Sequence, residues 1–136
     1  MATHFREAAQ RHYGDATRLL GQGRLGGADH MYGLSAECAL KAILVGLRVI
    51  PPGGPPRTSP YRKHIDQLWA QFAIYMRGPG RAAYSLPAQS PFDDWAVEQR
   101  YDGDATFTSS RVQAHQAGAT TAGRLMEQAI LNGELA

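Results

Sequence analysis

Apolar residues recur at three- and four-residue spacing through most of this chain, the signature of helices that bury one face. Phe5, Ala8 or Ala9, His12, Ala16 and Leu19 or Leu20 trace such a face, which predicts a first helix from about Thr3 to Leu20. The segment GQGRLGG follows, and its glycines permit a tight reversal. A second helix is predicted from about Gly27 to Leu47, and the short connection makes the pair antiparallel neighbours. His64 to Met76 reads as a third, with Ile65, Leu68, Trp69, Phe72 and Tyr75 or Met76 as its stripe. The last helix begins at Ser109 or Ser110, either of which suits a cap, and runs to Leu131 with Asn132-Gly133 as its stop. The string RVIPPGGPPRTSPY at 48–61 cannot continue a helix, because its five prolines remove donors and clash with the preceding turn. Residues 77–108 are mixed, with a short helical turn expected near Arg81–Ser85. No segment alternates with period two and no repeat of solenoid length occurs. The expected fold is therefore all-α: one domain over 1–136, an antiparallel up-and-down bundle of four main helices. A proline-rich loop and an irregular segment before the last helix interrupt it.

The second helix departs from simple amphipathicity. Its stretch YGLSAECALKAILVGL is apolar over most of its circumference, which places it at the centre of the domain. Yet Asp29, Gly33, Glu37 and Lys41 recur every four residues along one ridge. Glu37 precedes Lys41 by four, the favourable order for an ion pair along a helix. Two readings follow: a pair on a partly exposed edge, or a partnered pair within a groove or interface, with Glu37 facing inward more than Lys41. The edge is the expectation.

Net charge is only +2, which excludes a global basic field of the kind that holds nucleic acid non-specifically. Charge is nonetheless segregated, with five bases against Asp66 between Arg57 and Arg81, and five acids against Arg100 between Asp93 and Asp104. Cys38 is the single cysteine, so neither an internal disulfide nor a cysteine-cluster metal site can form. Within an apolar run it reads as a small buried hydrophobe. The opening MATHFREAAQRHYGD is polar and lacks an apolar leader region, and no run reaches the roughly 18 apolar residues of a bilayer span. A cytoplasmic protein without membrane segments is expected.

Motifs for phosphate-cradling loops and zinc pairs are absent. The five histidines lack ligand spacing, and a metal site would require His12 and His30 to converge with Glu37; no metal or cofactor is expected. Two stretches carry other chemistry. In WAVEQRYD, Arg100 beside Tyr101 and Asp102 suits stacking and planar hydrogen bonding to phosphate, or else Trp95 and Tyr101 pin the loop while Arg100 pairs with Asp102 or Glu98. In SSRVQAH, Arg111 and His115 lie one turn apart, a pair able to hold a phosphate and move a proton.

HYGDATRLLGQGRLGGADHMYGLSAECALKAIL together with RKHIDQLW resembles the small bacterial HEPN-domain proteins. The matching residues are His12, Tyr13 and Ala16, then Ala36, Glu37, Leu40, Lys41 and Ala42. The resemblance implies an up-and-down bundle, commonly dimeric, tied to RNA or nucleotides in toxin–antitoxin or defence settings, some members partnering nucleotidyltransferases. It also implies, for the nuclease members, an arginine and a histidine separated by four to six residues near the start of the last helix. Here Arg111 and His115 have three residues between them. The expectation is a HEPN-like domain that binds RNA, a nucleotide or a partner such as an antitoxin or a second copy, with Glu37, Lys41, Arg100, Tyr101 and Asp102 as binding residues. The alternatives are a metal-independent ribonuclease using Arg100 or Arg111 with His115, and a dimeric scaffold.

Overall fold

A computed structural model describes residues 4–50 and 62–135. Among them the chain is all-helical: α1 (Phe5–Gly21), α2 (Leu25–Gly46), α3 (Ile65–Tyr75) and α4 (Ser109–Leu131). Three 3₁₀ turns, Ala82–Tyr84, Val97–Tyr101 and Asp104–Thr106, punctuate the segment before α4. The expected turn near Arg81–Ser85 is the first of these. Most of the proline-rich loop, 51–61, lies outside the described residues, as does Thr3.

The bundle is organised around α2, as its apolar circumference requires. α1 packs antiparallel to it: the Ser35 hydroxyl donates to the Ala9 carbonyl at 2.8 Å, and Thr17 meets the Tyr32 hydroxyl at 3.0 Å. α4 runs alongside α2 in the same direction, for Gly26 faces Phe107, Asp29 faces His115 and Gly46 faces Glu134. One hydrophobic cluster draws Ala16, Tyr32, Leu40, Ile43, Leu68, Phe72, Trp95, Val112 and Met126 from all four helices and the irregular segment.

Three helices end in the same way. α1 closes with Gly23 at φ 74° and the Arg24 N–H on the Leu19 carbonyl; α4 closes with Gly133 at φ 75° and the Glu134 N–H on the Ala129 carbonyl. Both are reversals in which a left-handed residue turns the chain back onto orphan carbonyls. α2 makes the same reversal, Val49 N–H to Leu44 carbonyl at 2.8 Å, but places Arg48 at φ 60°. The start of α4 differs from expectation. Thr108, not Ser109 or Ser110, is the cap: its hydroxyl accepts from the Arg111 N–H at 3.3 Å, and the two serines are already inside the helix.

The ridge Asp29, Gly33, Glu37, Lys41 is buried along its whole length. The expected exposed edge is corrected: Glu37 is 7% and Lys41 4% exposed, so the lysine lies as deep as the carboxylate. The irregular segment covers its first half, Asp29 and Gly33, while His64 and Phe5 lie against Glu37 and Lys41. Gly33 is where it can approach, since a Cβ there would stand 2.1 Å from the Trp95 ring.

Two outcomes test this packing. Replacing Arg48 with Gly removes the left-handed strain, and urea unfolding should show a gain of about 1 kcal/mol. Gly33→Ala should cost more than about 2 kcal/mol, because the buried indole has nowhere to move; unchanged stability and unshifted tryptophan emission would refute the close approach.

Candidate functional site

Four elements converge on His115. α4 presents Arg111 and His115 on one face, one turn apart, as their spacing requires. α2 contributes Asp29 from its second turn, the segment before the Val97–Tyr101 turn contributes Asp94, and that turn contributes Gln99. His115 Nδ1 lies 2.5 Å from Asp29 Oδ1 and Nε2 lies 2.6 Å from Asp94 Oδ1. The second oxygen of Asp29 accepts from Gln99 Nε2 at 2.7 Å. Gln99 Oε1 accepts in turn from the Ala96 N–H and from Arg111 Nη2, each at 3.2 Å. Arg111 Nη2 also donates to the Asp94 carbonyl, while Nη1 faces the Asp94 carboxylate at 3.9 Å. Phe92 stacks on the imidazole with ring centroids 5.2 Å apart, and it fits because Gly118 has no side chain to meet it.

His115 and Asp29 are fully buried, whereas the Asp94 side chain is 56% exposed. Burial alone would lower the His115 pKa; the hydrogen bonds and charges of Asp29 and Asp94 outweigh it and raise the pKa above 6.5. Two carboxylates thus face one imidazole and one guanidinium, and the group is close to neutral as a whole.

A second cluster lies farther along the ridge. Glu37 accepts from Lys41 Nζ at 2.9 Å and faces His64 Nδ1 at 3.0 Å. Trp95 separates the two clusters: its Nε1 donates to the Asp29 carbonyl at 3.3 Å, and His30 stacks on its ring at 5.3 Å. Burial lowers the pKa of His30, and the nearby positive charge of Arg100 adds to this. Cys38 behaves as a buried thiol, its pKa pushed up to about 12 by burial and then by Glu37.

The structure brings Arg111 and His115 together but not with Glu37, which lies eight residues beyond Asp29 on α2, about 12 Å at helical rise. It also leaves Arg100, Tyr101 and Asp102 outside the network, all exposed on the outer side of their turn. Arg100 sits 5.0 Å from the Tyr101 ring centroid and, among the described residues, forms no ion pair with Asp102 or Glu98. Trp95 pins the segment as expected; Tyr101, 78% exposed, does not. Asp29 was legible as a polar intruder on the ridge, but its partnership with His115 was not. Asp94 and Gln99 went unassigned, although they lie within the aromatic- and acid-rich string FDDWAVEQRYDGD.

Among the described residues no group of three or more His, Cys, Asp or Glu side chains is placed to hold a metal ion, and no helix is long and apolar enough to cross a membrane. An open groove of about 340 Å³ between α1 and α4, crossed by the Tyr13–Thr120 hydroxyl contact at 2.7 Å, lies apart from both clusters. No protein-family model, curated protein or solved structure matches this chain.

Asp29→Asn should lower stability by about 3 kcal/mol, because it leaves the buried His115 against a neutral amide and takes an anion from the partly buried Arg111. The raised His115 pKa makes its contribution fully present below about pH 6.5 and lost as pH climbs through the raised value. The variant should flatten that alkaline decline in urea midpoints; an equally steep decline would place its origin elsewhere.

Proposed function

We propose that this chain is a non-cleaving, HEPN-like helical domain that binds RNA or a nucleotide through Arg100 and Tyr101. The observation that carries the reading is the state of His115. A general acid or base must reach the proton it moves. His115 is wholly buried, and both ring nitrogens are engaged by carboxylates. Arg111 donates to the Asp94 carbonyl and Gln99 in the same network. His115 has no exposed surface, and Arg111 is turned toward Asp94 and Gln99.

Arg100 and Tyr101 stand in the opposite condition. The tyrosine ring is exposed with a guanidinium against it, and this pairing suits a base on the ring and a phosphate on the arginine. Asp102 beside them adds an acceptor able to discriminate among ligands. Glu37 pairs with Lys41 and ties α2 to His64 at the start of α3. A toxin–antitoxin or defence-type setting, with a second copy, an antitoxin or a nucleotidyltransferase as partner, rests on the HEPN-like reading alone, and a cytoplasmic location on the polar opening of the sequence.

Anisotropy of a fluorescein-labelled single-stranded RNA should report binding that weakens about tenfold in Arg100→Ala and in Tyr101→Ala. Total RNA incubated with the protein in EDTA should stay intact. Cleavage that disappears in His115→Ala would replace this reading with a metal-independent ribonuclease, and absence of RNA or nucleotide binding would leave a scaffold.

A further inference from the structure

One of the polar contacts that fasten the irregular segment to the bundle depends on a single proton. His115 has a carboxylate oxygen at each ring nitrogen, 2.5 Å from Nδ1 and 2.6 Å from Nε2. An ionised carboxylate only accepts, so both nitrogens must carry hydrogen for both contacts to be attractive. A neutral imidazole has one N–H and one lone pair, and the lone pair would then face a carboxylate. The two carboxylates come from different places: Asp29 from the bundle's central helix, Asp94 from the segment laid over it. Their joint hold on the ring closes the segment.

We propose that residues 92–101 form an ionic latch, held shut by a doubly protonated His115 clasped between Asp29 and Asp94 and loosened when that imidazolium loses a proton. The groups that face the ring are Asp29 from α2, Asp94 from the segment, the neutral Gln99 amide bound to Asp29 from the Val97–Tyr101 turn, and Arg111 from α4 itself. From α3, Trp69 packs against Phe92, which stacks on the imidazole. Arg111 remains charged throughout, so His115 is the member whose charge changes as pH rises through its raised pKa. Its proton has a way out: the Nε2 side is closed by Asp94, whose carboxylate is 56% exposed. Other fastenings of the segment, among them the Trp95 indole on Gly33, Gln99 on Asp29 and Arg111 on the Asp94 carbonyl and Gln99, keep it attached when the ionic clasp fails. The outcome is a loosened segment, not an unfolded bundle.

The latch lies at the base of the ligand platform. Arg100 and Tyr101 are on the outer side of the same turn whose inner side holds Gln99 against Asp29. A shut latch fixes the platform; a loosened one frees it. The latch stands on its own geometry, and its influence on ligand binding rests on the reading given above.

The test is a pH titration of the unmodified chain by ¹⁵N NMR of the imidazole, paired with amide hydrogen exchange corrected for intrinsic base catalysis. Both ring nitrogens of His115 should be protonated at pH 7. Exchange of 92–101 should accelerate at least tenfold as the ring titrates above neutrality, while α1 and α2 stay protected. Asp94→Asn, a change at a half-exposed side chain, should speed exchange of the segment at pH 7 by a similar factor. His115→Gln should do the same and remove the pH dependence. A neutral ring at pH 7, with the shared proton on Asp29, overturns the proposal, as does a segment equally protected on both sides of the titration. Neither readout involves RNA, so a failure of RNA binding and a failure of the latch are told apart.

Discussion

Everything beyond the first helical hairpin depends on how α2 disposes of its polar ridge. The helix is central and apolar nearly all round, yet every fourth position from Asp29 to Lys41 lacks an apolar side chain. A buried charge without a partner costs several kcal/mol, so each such residue dictates what must come to meet it. Asp29 requires donors and receives His115 and Gln99. Glu37 requires donors and receives Lys41 and His64. Gly33 between them has no Cβ and receives the indole of Trp95.

The consequence is a segment whose path follows from these demands, not from local propensity. Residues 77–108 contain glycine and proline and only short 3₁₀ turns, yet Phe92, Trp95 and Gln99 are buried. Each is fixed by something outside its own stretch: Phe92 by the bare surface of Gly118 and the face of His115, Trp95 by Gly33 and the Asp29 carbonyl, Gln99 by the Asp29 carboxylate. Alternating apolar and polar anchors give the segment a single register. A purely apolar contact could slide; a carboxylate bonded at 2.7 Å cannot without leaving a buried charge unpartnered.

The same chemistry divides the candidate residues. Arg111 and His115 have the composition of a phosphate-handling pair, but His115 is bonded to Asp29 and Asp94, and Arg111 to Gln99 and the Asp94 carbonyl. Arg100 and Tyr101, only a few residues from Gln99, present guanidinium and ring outward. Inner and outer faces of one short turn thus serve different ends. The inner face holds the fold together, and the outer one exposes a guanidinium against an aromatic ring.

The sequence by itself determined the four helices, their order and the central place of α2. Those features follow from spacing within contiguous stretches: Phe5 to Leu20, the ridge of α2, and the stripe from Ile65 to Met76. It also marked Asp29, Glu37 and Lys41 as intruders on an apolar helix. Tertiary structure alone decided that the ridge is buried, that Lys41 goes in as deeply as Glu37, and that His115 meets Asp29, 86 positions away, and not Glu37. The reason is physical. Periodicity reports which face of a helix turns inward, but the partner of a buried charge is chosen by which donors the folded chain can bring within about 3 Å. In this chain those donors come from separate elements: His115 from α4, Gln99 from the irregular segment, and His64 from the start of α3.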